Sequence, residues 1–491
     1  MQKLHIKFAC VLLLLLASFS LSAQDLFFAK EQKIDVQNTS FESIGWCGDR
    51  LYTYRGNAKD GYFLDAYNDS MRLLATIALD FLPKKIAGSN FYVANNHIIM
   101  LYQAVQRDQM IQYAVRLNEK GLIQGKPKVL DSVRTAWLSK DRQYFDNVAS
   151  FDHTRLMVIT QGKKSSNKHS FHTVLLNDEL EILSKQSPTL LNRYDAYVAQ
   201  YVLAKDGTLY VSVSSDDRLK KLGEQNYIFQ LTPNAKMFNY IEVPREEDRS
   251  VNKWFLKINE ENNQLVFATT YAGPTSGKNI EGLITGVFNP DASKFEQFFV
   301  RSFSDDLRTS SSERNFKKAF NEFEVRDIIV KNNGGALIIL ENYFVTTRSY
   351  GTGGNFGYYS MYNGPYVSNT VREYVYGDLL IVNQNNEGTI TWQNYVRKDQ
   401  YTQDDGGIFS SYGLINSGTN LLFFFNDFSS SRGFLNIALL DPNGEMQLTK
   451  LTNSIGGSAD WLIRSGKQTD AQEYLIPILT KNGLSFVRIT F

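Results

Sequence analysis

Residues Phe323–Val396 read FEVRDIIVKNNGGALIILENYFV from Phe323, TTRSYGTGGNFGYYSMYNGPYVSNTVREYV from Thr346, and YGDLLIVNQNNEGTITWQNYV from Tyr376. The two ends carry strand signals. VRDIIV and ALIILENYF face each other across KNNGG, and DLLIVNQ faces TITWQNYV across NEG. Apolar and β-branched runs broken by Asn-Gly and Gly-Gly pairs are what hairpins require, because the reversal needs residues that accept positive φ. Four strands of one antiparallel sheet are expected, with a long polar and aromatic insertion between the second and the third.

The same unit recurs along the chain. Outer hairpins with Asn, Asp, Pro or Gly in the turn start at Gly61, Ile111, Phe171, Tyr227, Ile284, Asp378 and Phe434. Those turn residues either tolerate the left-handed region or fix φ. Inner strand pairs precede them, starting at Ser43, Asn90, Phe151, Ala196, Trp254 and Val325, then Ile408 and Asp460. The last unit supplies three strands before the chain ends at Phe491. Its fourth is expected from KEQKIDVQN (Lys30–Asn38), with Ile34-Asp35-Val36 laid against Phe486–Phe491.

A ring of sheets that joins its two termini in one sheet removes its last open edge. The reading is therefore an all-β chain forming a single β-propeller of eight four-stranded blades, closed by the N-terminal strand. The alternative is seven blades, with SIGWCG misread as an innermost strand. Repeats of about 58 residues are somewhat long for blades, and the excess falls in loops. A pair of β-sandwiches does not explain a recurring four-strand unit with displaced termini. SSERNFKKAFNEF (Ser311–Phe323) is expected to form one or two helical turns.

The first 24 residues read as a secretory signal peptide. Lys3 and Lys7 precede an apolar run from Val11 to Ala17, and small residues lead to cleavage near Ala23 or Gln24. The apolar run is too short to span a membrane comfortably. Residues 25–491 are then one propeller domain. Removing the leader takes two lysines and no acid, so 50 basic and 51 acidic side chains remain of the 52 and 51 in the whole chain. Such balance offers no basic surface for nucleic acid or for an anionic membrane. Cys47 is the one cysteine of the mature chain, so stability must come from a large packed core rather than from disulfides.

No nucleophile elbow, phosphate loop, zinc-protease motif or paired-cysteine motif is present. No catalytic residue, metal ligand or cofactor is assigned. Asp404-Asp405-Gly406-Gly407 reads as a solvated turn rather than a calcium loop, since it lacks the spaced ligands of an EF-hand. His97 and His153 occupy equivalent positions before the second strand of adjacent blades and are rim candidates. The insertion 344–374 is the stronger lead. Arg348, Tyr350, Phe356, Tyr358, Tyr359, Tyr362, Tyr366, Arg372 and Tyr374, with Tyr343 at its start, sit among Gly, Ser and Asn. Tyrosine in such company supplies rigid amphipathic contact area on adaptable loops, as in binding surfaces. Joining second strand to third, the insertion shares a face with the loops 54–60, 161–170 and 271–279.

The block GGALIILENYF…YGDLLIVNQNNEGTITWQNYVRKDQYTQDDGGIFSSYG, with the leader ending SLSAQ, resembles an uncharacterised family of exported, propeller-like proteins of Bacteroidetes. Gly334, Gly335, Glu341, Tyr343, Asp378, Gly388, Trp392, Lys398, Gln400 and Ser411 carry the pattern, which covers about the last third of the chain. The resemblance implies export and fold, and no activity. A periplasmic or outer-membrane-associated protein is expected, extracellular release being the other destination. The expected function is a non-enzymatic binding or scaffold module that recognises an envelope protein or a glycan, with possible association with an outer-membrane assembly. The alternative is a carbohydrate-active hydrolase or lyase with its site in the central channel, which carboxylates or a histidine converging in a pocket would favour.

Overall fold

In the computed structural model, residues 25–36, 38–134, 144–165, 168–191, 196–215, 226–244, 249–273, 279–311, 320–349, 370–428, 434–451, 460–480 and 483–491 are described. They form eight antiparallel sheets of four or five strands. Blade 1 spans residues 40–78, blade 2 88–134, blade 3 145–191, blade 4 196–241, blade 5 250–302, blade 6 323–403 and blade 7 413–451. Blade 8 combines residues 460–490 with the N-terminal strand Asp25–Phe28. The eight-bladed reading holds, and SIGWCG is the innermost strand of blade 1, within Ser40–Cys47.

The second strand of each blade explains why the ring forms. His97–Gln106 (HIIMLYQAVQ) is apolar along most of its length rather than alternating, which is the pattern of a strand covered on both faces. Ile98, Met100 and Tyr102 pack towards blade 1, whereas Ile99 and Leu101 pack towards blade 3. Leu421–Asp427 behaves alike: Leu422 and Phe424 meet blade 8, and Leu421, Phe423 and Phe425 meet blade 6. The buried residues form a cluster between every adjacent pair of blades, including one between blades 8 and 1. Outer strands face water, as in Met446–Leu451, where the four central residues are half-exposed or exposed.

The N-terminus closes the ring, but with a different segment from the one expected. Asp25–Phe28 runs antiparallel to the C-terminal strand, pairing Asp25 with Thr490 and Phe28 with Val487. Ile34 and Val36 pack instead as partly buried side chains in the cluster between blades 8 and 1. The chain stays close for a few more residues. Ser485 Oγ donates to Ala29 O at 2.7 Å, and a bridge links Gln32 to Leu484. Gly483 is needed here, because a Cβ at that position would lie 2.0 Å from Gln32 O.

The insertion also differs from expectation. Its two sides are strand, not loop. Ala336–Ser349 and Thr370–Gln384 stay paired out to Ser349 opposite Thr370, and Gln400–Gln403 adds a third strand along Glu373–Tyr376. Alternating β-branched and aromatic residues (Val345, Thr347, Val371, Val375) explain this extension. The helical turns expected over 311–323 fall mostly on residues 312–319, outside the described residues. Asp305–Thr309 is a short helix capped by the Ser304 side chain on Leu307 N, while Phe320 and Phe323 are buried between blades 5 and 6. Because strands alternate in direction, second-to-third-strand loops and the links between blades share one face, which carries the blade 6 extension.

Candidate functional site

The expected binding residues separate in the structure. Tyr343 is half-buried and packs on Tyr376 with ring centroids 4.6 Å apart, with the Arg326 guanidinium 4.4 Å from its own ring centroid. Tyr374 pairs with Val345 and Thr402 in the stem. Arg372 is exposed, and its backbone N donates to Asp404 Oδ1 at 2.9 Å. The Arg348 backbone pairs with Val371. Tyr350, Phe356, Tyr358, Tyr359, Tyr362 and Tyr366 lie outside the described residues.

Six of the residues that carry the family resemblance do converge, in a buried network at the root of the extension. Lys398 Nζ lies 2.8 Å from Glu341 Oε1, and Arg326 Nε lies 3.1 Å from Oε2. Ser411 Oγ donates to Glu341 Oε2 at 2.9 Å. Gln400 Oε1 accepts from Lys398 Nζ at 3.2 Å and from Ser411 N at 2.8 Å. Asp378 accepts from Lys398 N at 3.2 Å and from Arg397 Nη1 at 2.5 Å. Burial presses the Lys398 amine down, and Glu341 opposes that. Tyr343 completes the set by its packing on Tyr376. Each charge here has an opposite charge and hydrogen bonds, so the network is a structural clamp.

The two histidines differ. His97 is buried at the outside of the ring, where Nε2–H donates to Asp178 O at 2.9 Å and Arg116 Nη2 donates to Nδ1 at 3.3 Å. Both nitrogens are used. His153 sits in the turn between the first two strands of blade 3 at φ 56°. Its Nδ1–H donates to Val93 O at 2.8 Å, and its ring stands edge-on to Tyr92 at 5.4 Å. That bond leaves the lone pair on Nε2, which has no partner among the described residues. Burial lowers the basicity of the ring, with Lys467 adding to the effect. His153 is thus a neutral imidazole with a free acceptor nitrogen.

Around it lie groups that the sequence did not single out. Glu42, on the innermost strand of blade 1, accepts from Phe91 N at 3.3 Å through Oε1. Burial pushes its carboxyl up to about 7, partly offset by Lys467. Lys467, on the innermost strand of blade 8, donates to Ile44 O at 3.0 Å, and burial lowers its amine. Burial and Glu42 together raise the Tyr92 phenol. Glu42, Tyr92, His153 and Lys467 come from four blades that only ring closure brings together.

One strand ties this cluster to a cavity. Along Gly88–Ala94, Phe91 N holds Glu42, Val93 O holds His153, and Asn90 lines a space of about 570 Å³ between blades 2, 3 and 4. Asp146, Asn147, Gln161, Gln200 and Tyr201 complete the polar lining. Asn147 Nδ2 donates to Asn90 Oδ1 at 2.8 Å, and Gln161 Nε2 donates to Tyr201 OH at 3.0 Å. Burial raises the Asp146 carboxyl, opposed by a hydrogen bond from Gln161. From Asn90 to Val93 the strand advances roughly 10 Å. Cavity and cluster are therefore parts of one channel, the cavity nearer the face that bears the extension.

Other features carry less. An apolar crevice between blades 4 and 5, near Trp254 and Phe298, holds about 40 Å³. The Asp404–Gly407 turn is closed by its own backbone, with Asp405 Oδ1 accepting from Gly407 N and Thr402 Oγ1. Among the described residues no group of three or more His, Cys, Asp or Glu side chains is placed to hold a metal ion. No helix among them is long and apolar enough to cross a membrane.

No protein-family model and no curated protein matches the chain. Solved structures do. The polysaccharide lyase Uly1 aligns at a TM-score of 0.42 and 11% identity, over 82% of this chain and 89% of its own. The AfRom2 CNH domain aligns at 0.38 and 10%, over 95% and 99%. Prolyl oligopeptidase B from Galerina marginata aligns at 0.39 and 11%, over 90% of this chain and 56% of its own. At such identities and TM-scores none of the three assigns an activity to this chain.

Proposed function

We propose that this propeller is a carbohydrate-active protein that takes a glycan into its central channel and cleaves a glycosidic bond there. One observation carries the reading. A carboxyl raised to about 7 and a neutral imidazole with a free Nε2 are anchored two residues apart on one channel strand, beside a polar cavity of about 570 Å³. The anchors are roughly 7 Å apart along the strand, a spacing that suits an acid and a base on either side of one sugar linkage. Acid–base work near neutral pH needs groups that titrate near neutral pH.

The roles follow from the protonation states. His153 Nε2 takes a proton from the sugar or from an attacking water, and Nδ1–H stays tied to Val93 O. Glu42, protonated over much of the neutral range, gives its proton to the departing glycosidic oxygen. Asn90, Asn147 and Gln161 present planar amides to sugar hydroxyls in the cavity, with Tyr201 beside them and Gln200 held by the Leu256 backbone. On the leader read in residues 1–24, we propose that this activity lies outside the cytoplasm, in the periplasm or at the outer membrane.

Incubation with a panel of neutral and acidic polysaccharides tests the reading. An ultraviolet-absorbing unsaturated product marks elimination, and new reducing ends without it mark hydrolysis. Glu42→Gln and His153→Ala should each lower the rate by about 10²–10⁴-fold. Absence of cleavage, with glycan affinity unchanged in Asp146→Asn and in Gln161→Ala, would remove the channel as the site.

The binding-module reading ranks second, and a different surface supports it. Phe344 and Val345 are both 37% exposed on the stem of the blade 6 extension, where an envelope protein would find apolar contact. Loss of a cross-linked envelope partner on Phe344→Ser and Val345→Ser, with polysaccharide cleavage absent in the parent, would move this reading to first.

A further inference from the structure

Several charges at the junction of blades 5 and 6 are already neutralised. Lys253 Nζ lies 2.8 Å from Glu324 and Lys257 Nζ 3.3 Å from Asp327, both across the junction of blades 5 and 6. Arg326 is held by Glu341 at 3.1 Å and Glu324 at 3.8 Å. Lys467 differs. Among the described residues it has no carboxylate within ion-pair distance, and the Ile44 carbonyl occupies one of its three donors. Two donors remain for the channel. An ammonium held in a half-buried wall without a counter-ion is costly unless something else completes it.

The surroundings say what can complete it. Lys467 Nζ is held on Ile44 O, two residues from Glu42 on the innermost strand of blade 1, and its charge acts on both Glu42 and His153. Glu42 does not serve as its fixed partner, since its carboxyl favours the protonated form up to about 7. A ligand anion would therefore meet a cation and a neutral acid rather than a carboxylate.

We infer that the channel is built for an acidic polysaccharide, with Lys467 as the specificity residue that binds the anionic group of the sugar at the cleaved linkage. This rests on the carbohydrate reading above and adds the substrate class. The ammonium is a compact point charge without the fork geometry of arginine, so carboxylate and sulfate ester are both chemically acceptable. The neighbouring cavity offers amides and a phenol for sugar rings, and its one carboxyl, Asp146, is raised by burial.

The test uses the whole protein and three probes: oligogalacturonate, its fully methyl-esterified form, and a sulfated galactan. Calorimetric affinity should favour oligogalacturonate over the methyl ester by at least about tenfold, as a charge-assisted hydrogen bond implies. Lys467→Met should abolish that preference while leaving methyl-ester binding unchanged, and Lys467→Arg should retain most of it. Preference for the sulfated galactan in place of oligogalacturonate identifies the anion as a sulfate ester and still supports the role of Lys467. Equal affinity for charged and esterified probes, or a preference that survives in a folded Lys467→Met, overturns the assignment while the carbohydrate reading stands. Binding of none of the three overturns both. Circular dichroism of each variant, with Lys467→Arg as the conservative partner, separates misfolding from lost recognition.

Discussion

Two clusters in this ring use the same residue types and do opposite things. At the root of blade 6, Glu341 and Lys398 lie 2.8 Å apart, both buried, with Arg326, Ser411 and Gln400 completing the hydrogen bonds. In the channel, Glu42 and Lys467 are near enough to perturb each other, yet each is bonded to backbone, Glu42 to Phe91 N and Lys467 to Ile44 O. The first cluster is complete without a partner. The second leaves a carboxyl oxygen, two ammonium hydrogens and an imidazole nitrogen without a partner among the described residues. Charge burial by itself therefore does not mark a site. Incomplete pairing in an accessible place does.

Breaking the first cluster should have the largest effect. Lys398→Met leaves Glu341 Oε1 buried without its cation, with only Arg326 on Oε2, and breaking such a buried pair costs about 3 kcal/mol. Denaturant unfolding should show this as a lower midpoint with an unchanged slope. Lys398→Met combined with Glu341→Leu should recover part of the loss, because the buried carboxylate is gone while Arg326 keeps Glu324 at 3.8 Å. A single variant that unfolds like the parent would show that water reaches Glu341 and that the clamp is not dry.

The channel pair should respond to pH instead. With its carboxyl raised to about 7, the folded protein holds a proton on Glu42 that the unfolded chain has lost above the ordinary value of 4.5. Stability therefore falls as pH rises through the window from 4.5 to about 7, and levels off above it. Allowing for solvent screening of a half-buried side chain, the loss is about 1–2 kcal/mol. Glu42→Gln should match the parent near pH 4 and exceed it by that amount near pH 8, measured by unfolding at both. Equal stability at pH 8 would mean that Glu42 is as well solvated as a surface carboxylate.

The contrast also explains what could be read in the chain. Residues of the clamp lie within one blade and its neighbour, from Arg326 to Ser411. The channel cluster joins positions 42, 92, 153 and 467, and Lys467 reaches blade 1 only because the last blade closes on the first. No local pattern announces such a site. His153 was legible as a rim position, but its φ of 56° and its bond to Val93 O set it apart from His97, and neither shows in the sequence. The apolar second strands, such as HIIMLYQAVQ, were legible because cover on both faces leaves a continuous run. The closing strand was not. DLFF and KIDV both bring apolar side chains, and only the structure shows that Asp25–Phe28 takes the ladder while Gln32 O passes beside Gly483.

The smallest effect is expected where the sequence drew most notice. Ser349 and Thr370 face each other in register at the end of the blade 6 extension. Replacing residues 350–369 with Asn-Gly would join them by a two-residue turn whose twist suits an antiparallel pair. The stem is held independently by the third strand Gln400–Gln403 and by the packing of Tyr343 on Tyr376, both rooted in the clamp. Stability should therefore change by less than about 1 kcal/mol, since removing such a loop alters chiefly the closure entropy. Channel cleavage should persist, because Glu42, His153 and Lys467 belong to other blades. A shortened protein that unfolds several degrees earlier would make the insertion part of the packed ring. One that keeps its stability but loses cleavage would extend the site from the channel onto the face that bears the extension, and the tyrosines would then act on the glycan rather than on a protein partner.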